Sequence, residues 1–89
     1  MPHIAFAPAI QRHIACPERT VAGDTVLAAL EAVFGQQPEL RGYLLDDQGQ
    51  LRRHVAVFVD GVGIRDRKRL SDALEAGSRI YVVQAISGG

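Results

Sequence analysis

The sequence predicts an α+β domain in which one main helix covers one face of a mixed sheet. Two patterns carry that expectation. Val26, Leu27, Leu30, Val33 and Phe34 recur at helical spacing, as one apolar stripe requires. Val55, Val57 and Val59 alternate with Ala56 and Phe58, and Ile80, Val82 and Ile86 alternate with Tyr81 and Val83, the period-two signature of strands. With 89 residues, 47% hydrophobic and 22% charged, the chain supplies one core and has no room for a second.

The opening residues 3–7 place Ile4 and Phe6 on one face of a short strand, which Pro8 interrupts. A return strand is expected over Arg12–Ala15, resuming at Arg19–Val21, so that the start reads as a hairpin with Pro17 at an edge or bulge. The helix is expected over Asp24–Phe34, capped by Asp24 or Thr25, stopped by Gly35 and closed off by Pro38. Glu39–Leu45 carries Leu40, Tyr43 and Leu44 at helical spacing, but Gly42 reduces it to one or two irregular turns. A turn at Asp46–Gly49 leads to the valine strand, which ends at Asp60-Gly61. Gly61–Ile64 reads as a brief strand, Leu70–Leu74 as a single helical turn and Glu75–Ser78 as a turn before the last strand, Arg79–Ile86. Residues 1–86 are thus expected to form the domain and 87–89 a flexible tail.

Composition narrows the function classes. Ten basic against ten acidic residues cancel, which removes the bulk field that draws proteins to nucleic acid or anionic membrane. No apolar run reaches membrane-spanning length and no signal-peptide pattern is present, so cytosol is the expected compartment. The single Cys16 excludes an internal disulfide framework and a four-cysteine iron–sulfur cluster. His13 and Cys16 have H-x-x-C spacing, yet His3 and His54 supply no second pair, so no metal is expected. Gly61-Val-Gly63 lacks the rest of a dinucleotide fingerprint, no phosphate-binding P-loop occurs, and Ser71, Ser78 and Ser87 suggest no catalytic triad. Arg52 and Arg53, with Arg65, Arg67, Lys68 and Arg69, form two short basic groups that read as solvated loop charges, the alternative being contact with an acidic partner. None of these patterns supports an enzyme.

The most informative feature is Gly88-Gly89 directly after a strand. At ordinary glycine usage such a pair arises on the order of once in two hundred chains. Without Cβ atoms the pair makes a thin arm able to thread a narrow channel and present a carboxylate to another protein. A carboxylate resists nucleophiles until adenylation turns it into a mixed anhydride, after which an attacking sulfur leaves a thiocarboxylate.

Taken in order, Ile4-Ala-Phe6, Gly23-Asp-Thr-Val26 leading into Leu27–Phe34, His54–Gly61, Ala76-Gly-Ser-Arg-Ile80 and Ala85-Ile-Ser-Gly-Gly89 resemble the MoaD/ThiS family of ubiquitin-like sulfur carriers. The resemblance implies a β-grasp fold with four or five strands around the main helix. It also implies that a ubiquitin-activating-type adenylyltransferase uses ATP to activate Gly89, with Gly88 giving access, and that a sulfur donor and a sulfur-accepting synthase complete the partners. The protein itself then binds no cofactor. The long Pro38–Arg53 insertion favours the MoaD-like and CysO-like branches, which serve molybdopterin or cysteine synthesis, and Pro8–His13 and Leu45–Leu51 look more like the CysO type. Phe58, Tyr81 and Val83 are expected to share the sheet face away from the helix as a partner-docking patch, unless loops or a second copy cover them. Two other functions are weighed beside the carrier: a ubiquitin-like modifier joined to proteins through Gly89, and a non-covalent β-grasp interaction module.

Overall fold

The computed structural model describes residues 1–84 and contains a five-stranded sheet with three helices. Strand β1 (His3–Phe6) is followed by α1 (Pro8–Gln11), β2 (Arg19–Thr20), α2 (Val26–Gln36), α3 (Glu39–Leu44), β3 (Val55–Val59), β4 (Val62–Gly63) and β5 (Arg79–Gln84). The sheet order is β2-β1-β5-β3-β4. β5 lies at the centre, parallel to β1 and antiparallel to β3, which makes the sheet mixed as expected.

Alternation decides the faces. Ile4, Phe6, Val55, Val57, Ile80 and Val82 are buried and join Val26, Ala29, Leu30, Val33 and Phe34 of α2 in one core cluster. Leu40, Leu44, Leu45, Leu51 and Leu70 extend that cluster beyond the sheet. Leu27 was expected on the buried stripe but is 38% exposed. It lies about 100° around the helix from Val26, at the edge of the stripe.

Three other expectations are corrected. β1 and β2 do pair antiparallel, but no tight hairpin joins them. Pro8, which has no N–H to lose, opens the turn α1, and Ile10 anchors it in the core. Arg12–Ala15 is therefore turn and loop, and the return strand is only Arg19–Thr20. Gly35 does not stop α2, which runs to Gln36 and is closed by the Gln37 amide donating to the Val33 carbonyl at 2.8 Å. No left-handed glycine is needed, because α3 follows at once from Pro38.

Leu70–Leu74 is not a helical turn. Leu70 has φ of 57°, and the segment's carbonyls are spent on α2: Val26 N–H donates to Asp72 (3.0 Å) and Leu27 N–H to Leu70 (2.9 Å). The Thr25 hydroxyl accepts from Ala28 N–H at 3.1 Å, so the three helix amides without an internal partner are all satisfied. Gly23, with φ of 154°, brings the chain so close to this end that a Cβ would lie 2.7 Å from the Ala29 nitrogen. Gly23→Ala should therefore cost at least about 1–3 kcal/mol from backbone strain alone. Urea unfolding monitored by circular dichroism checks this; an unchanged midpoint would show that the helix end yields freely.

Candidate functional site

The register of β3 on β5 sets Phe58 opposite Tyr81 and Ala56 opposite Val83, while Ala5 of β1 faces Tyr81 from the other side. The three expected docking residues thus share one face, opposite α2. None of the residues β1, β3 and β5 place on that face is buried; Tyr81 is 43% exposed, and Phe58 and Val83 are half-buried. Phe58 lies over Gly63, where a Cβ would stand 3.7 Å from its ring, so the aromatic covers the backbone of the short edge strand. Ala5 and Ala56 flank the patch with small side chains and leave the Tyr81 ring proud of the sheet. That contribution was readable only once the register was known.

The turn joining β3 to β4 holds the far end of this face. Asp60 (φ 51°) and Gly61 (φ 84°) both adopt positive φ, as a two-residue type I′ hairpin requires. Asp60 donates its N–H to the Arg79 carbonyl at 2.8 Å and accepts from Arg79 N–H at 2.9 Å through its carboxylate. β5 is thereby pinned where it begins.

At its other end β5 is held by Tyr43, whose hydroxyl donates to the Gln84 amide oxygen at 2.8 Å. His13 and His54 flank the Tyr43 ring, with centroids 5.8 and 6.5 Å away. This anchor at the last described residue was missed in the sequence, where Tyr43 reads as one more apolar position of an irregular helix. Gly88 and Gly89, the expected reactive end, lie outside the described residues, as do Ile86 and the expected boundary between domain and tail.

Cys16 is fully buried, and burial pushes its thiol above the usual range, with nearby Arg19 a smaller opposing influence. His13 is exposed and turned to Tyr43. Among the described residues no three His, Cys, Asp or Glu side chains gather as metal ligands, and no helix is long and apolar enough to cross a membrane.

The ThiS family model matches residues 8–89. The chain belongs to the ThiS family. Solved structures agree on the architecture. Small archaeal modifier protein 1 from Haloferax volcanii superposes with a TM-score of 0.77 at 26% identity, covering 99% of this chain and 98% of that one. Mycobacterium tuberculosis CysO gives 0.81 at 19% identity, over 97% of this chain and 100% of that one. A chain of the Amycolatopsis orientalis BexX/CysO complex gives 0.83 at 19% identity, with both chains covered completely. The fold is the ubiquitin-like β-grasp, and the expected family and fold are both borne out. No curated protein matches the sequence.

The loop after β4 is organised around one carboxylate. The Asp66 carboxylate accepts from the Ser71 hydroxyl and from the amides of Arg69 (2.9 Å) and Lys68 (3.2 Å). These bonds, the Ser71 hydroxyl foremost, hold its pKa below the ordinary carboxylate value. A depressed folded-state pKa stabilises the protein above the unfolded value, and this support is lost as pH falls through the folded one. Asp66→Ala should therefore be less stable than the wild type at neutral pH and lose less stability on acidification below about pH 4. Chemical unfolding across that range reads the slope; parallel curves would show that Asp66 does not contribute.

Proposed function

We propose that this chain is a sulfur carrier whose Gly89 carboxylate is adenylated and then converted to a thiocarboxylate. The observation that carries this reading is the ThiS-family match, whose span of residues 8–89 takes in Gly88-Gly89. The architecture is compatible with it. β5 is held by its two neighbours and by Tyr43 up to Gln84, and the five residues that follow it, fully extended, span at most roughly 17 Å. That length is sufficient to enter another protein's active site while the domain docks outside.

A ubiquitin-activating-type adenylyltransferase would hold the ATP. The Gly89 carboxylate attacks the α-phosphate and releases pyrophosphate. A sulfur nucleophile at the oxidation level of hydrosulfide then attacks the acyl carbon and expels AMP. The thiocarboxylate passes its sulfur to a synthase in cofactor or amino-acid biosynthesis, of the molybdopterin or cysteine type, within the cytoplasm. Gly88, without a side chain, gives the entering tail its clearance. Phe58, Tyr81 and Val83 form the face on which the activating enzyme docks.

Intact mass spectrometry tests the chemistry. Incubation with an active adenylyltransferase, ATP and a sulfide source should replace one oxygen of the protein by sulfur. Deletion of Gly88 and Gly89 should abolish the change. An unmodified mass alongside ATP turnover on a control carrier would refute the proposal. The docking face has its own test: Tyr81→Asp should cost about 1 kcal/mol of stability, as Asp is disfavoured in a central strand, leave the protein folded, and lower kcat/KM for adenylation about tenfold. Unaltered kinetics would remove Tyr81 from the interface.

A second reading is favoured by the likeness to small archaeal modifier protein 1: Gly89 joined to lysines of other proteins. It predicts branched peptides carrying the Gly88-Gly89 remnant in digests of expressing cells, which the carrier reading does not require.

A further inference from the structure

We propose that Arg52, Arg53, Arg67, Lys68 and Arg69 form one basic docking surface for an acidic protein face, at the end of the sheet towards which β5 runs. These residues fall in two groups well separated in sequence, and the fold joins them. The Arg67 guanidinium donates to the Arg52 carbonyl at 2.9 Å, and Leu51 N–H donates to the Arg67 carbonyl at 3.1 Å. Five of the chain's ten Lys and Arg thus converge in a molecule whose formal net charge is zero.

Nearby acids keep their negative charge but are bound to backbone amides and form no ion pair with these cations. Asp46 accepts from the amides of Gln48 and Gln50, Asp66 from those of Lys68 and Arg69, and Asp72 from those of Arg65 and Asp66. The ion pairs among the described residues are His3–Glu18 and Arg41–Glu31, neither of which involves the patch. Arg53, Arg67, Lys68 and Arg69 are exposed, and Arg52 and Arg53 line an open cleft of about 400 Å³ with Asp46, Gln50, Leu51 and His54. The backbone displaying the cations is already fixed, by Asp66 and by the Leu70 and Asp72 carbonyls on α2, so little chain entropy is lost on binding.

Position selects the partner. Val55, just after Arg52–His54, is the register partner of Gln84, so the patch borders the sheet end towards which β5 runs. A protein that takes Gly88-Gly89 into its active site must cover this end. The assignment rests on the tail being the reacting group. Charge at such a rim acts chiefly on encounter rate and specificity, and it weakens with salt. A nucleic acid is the less favoured anion, because the balanced charge supplies no long-range field beyond the patch.

The direct test is titration of the full-length protein with an oligoglutamate peptide at low salt, followed by amide chemical shifts. Perturbations should centre on Arg52, Arg53 and Arg67–Arg69, fade at physiological salt and disappear in the Lys68→Glu/Arg69→Glu variant, which keeps the wild-type unfolding midpoint. Shifts centred elsewhere, or tighter binding of an oligothymidine of equal charge, would overturn the proposal. With an activating enzyme and ATP, the same variant should raise KM for the carrier roughly five- to twentyfold with kcat nearly unchanged. An unaltered KM would overturn the assignment to the tail-processing partner. Failure of the wild type to be adenylated would instead refute the tail chemistry, while the peptide titration still decides whether the patch binds acidic protein.

Discussion

β5 is the member on which the rest of the molecule depends. It is hydrogen-bonded on both sides, parallel to β1 and antiparallel to β3, and its alternation divides the two surfaces of the sheet. Ile80 and Val82 face the helix, while Tyr81 and Val83 face the other way. A one-residue slip would exchange the two sets and expose the core. The same pairing sets the direction in which β5 runs. The two ends of the strand are held by different chemistry: the Asp60 carboxylate and backbone at Arg79, and the Tyr43 hydroxyl at Gln84.

The segment from Arg65 to Leu74 gives rigidity without regular secondary structure. Its carbonyls complete the helix start, its buried Leu70 fills the core, and two aspartates absorb its own amides. A loop built this way has most of its backbone groups engaged without belonging to a sheet or helix. This is an economical solution in a small domain, since one stretch of chain serves as cap, core and surface.

The alternating strands and the stripe of α2 were legible because their burial follows from neighbours in the sequence. Val55, Val57, Ile80 and Val82 needed only period two, and Val26, Leu30 and Val33 only the helical repeat. Thr25 as a cap was one of two readable choices. What escaped depends on partners far along the chain. Leu70–Leu74 looks helical until its carbonyls are claimed by α2, and Gly35 looks like a stop until α3 is seen to follow directly. The Tyr43–Gln84 bond spans 41 positions, and nothing in either segment announces it. Phe58, Tyr81 and Val83 could be assigned to one face from alternation, whereas their small neighbours Ala5 and Ala56 emerged only from register.

The sealing of Cys16 has a consequence for chemistry at the surface. Its thiol has no solvent-accessible area, and the surrounding core keeps it protonated. An alkylating or oxidising reagent added to the folded protein meets no competing side-chain thiol, so any new sulfur-borne reactivity detected under native conditions can be traced to something other than this cysteine.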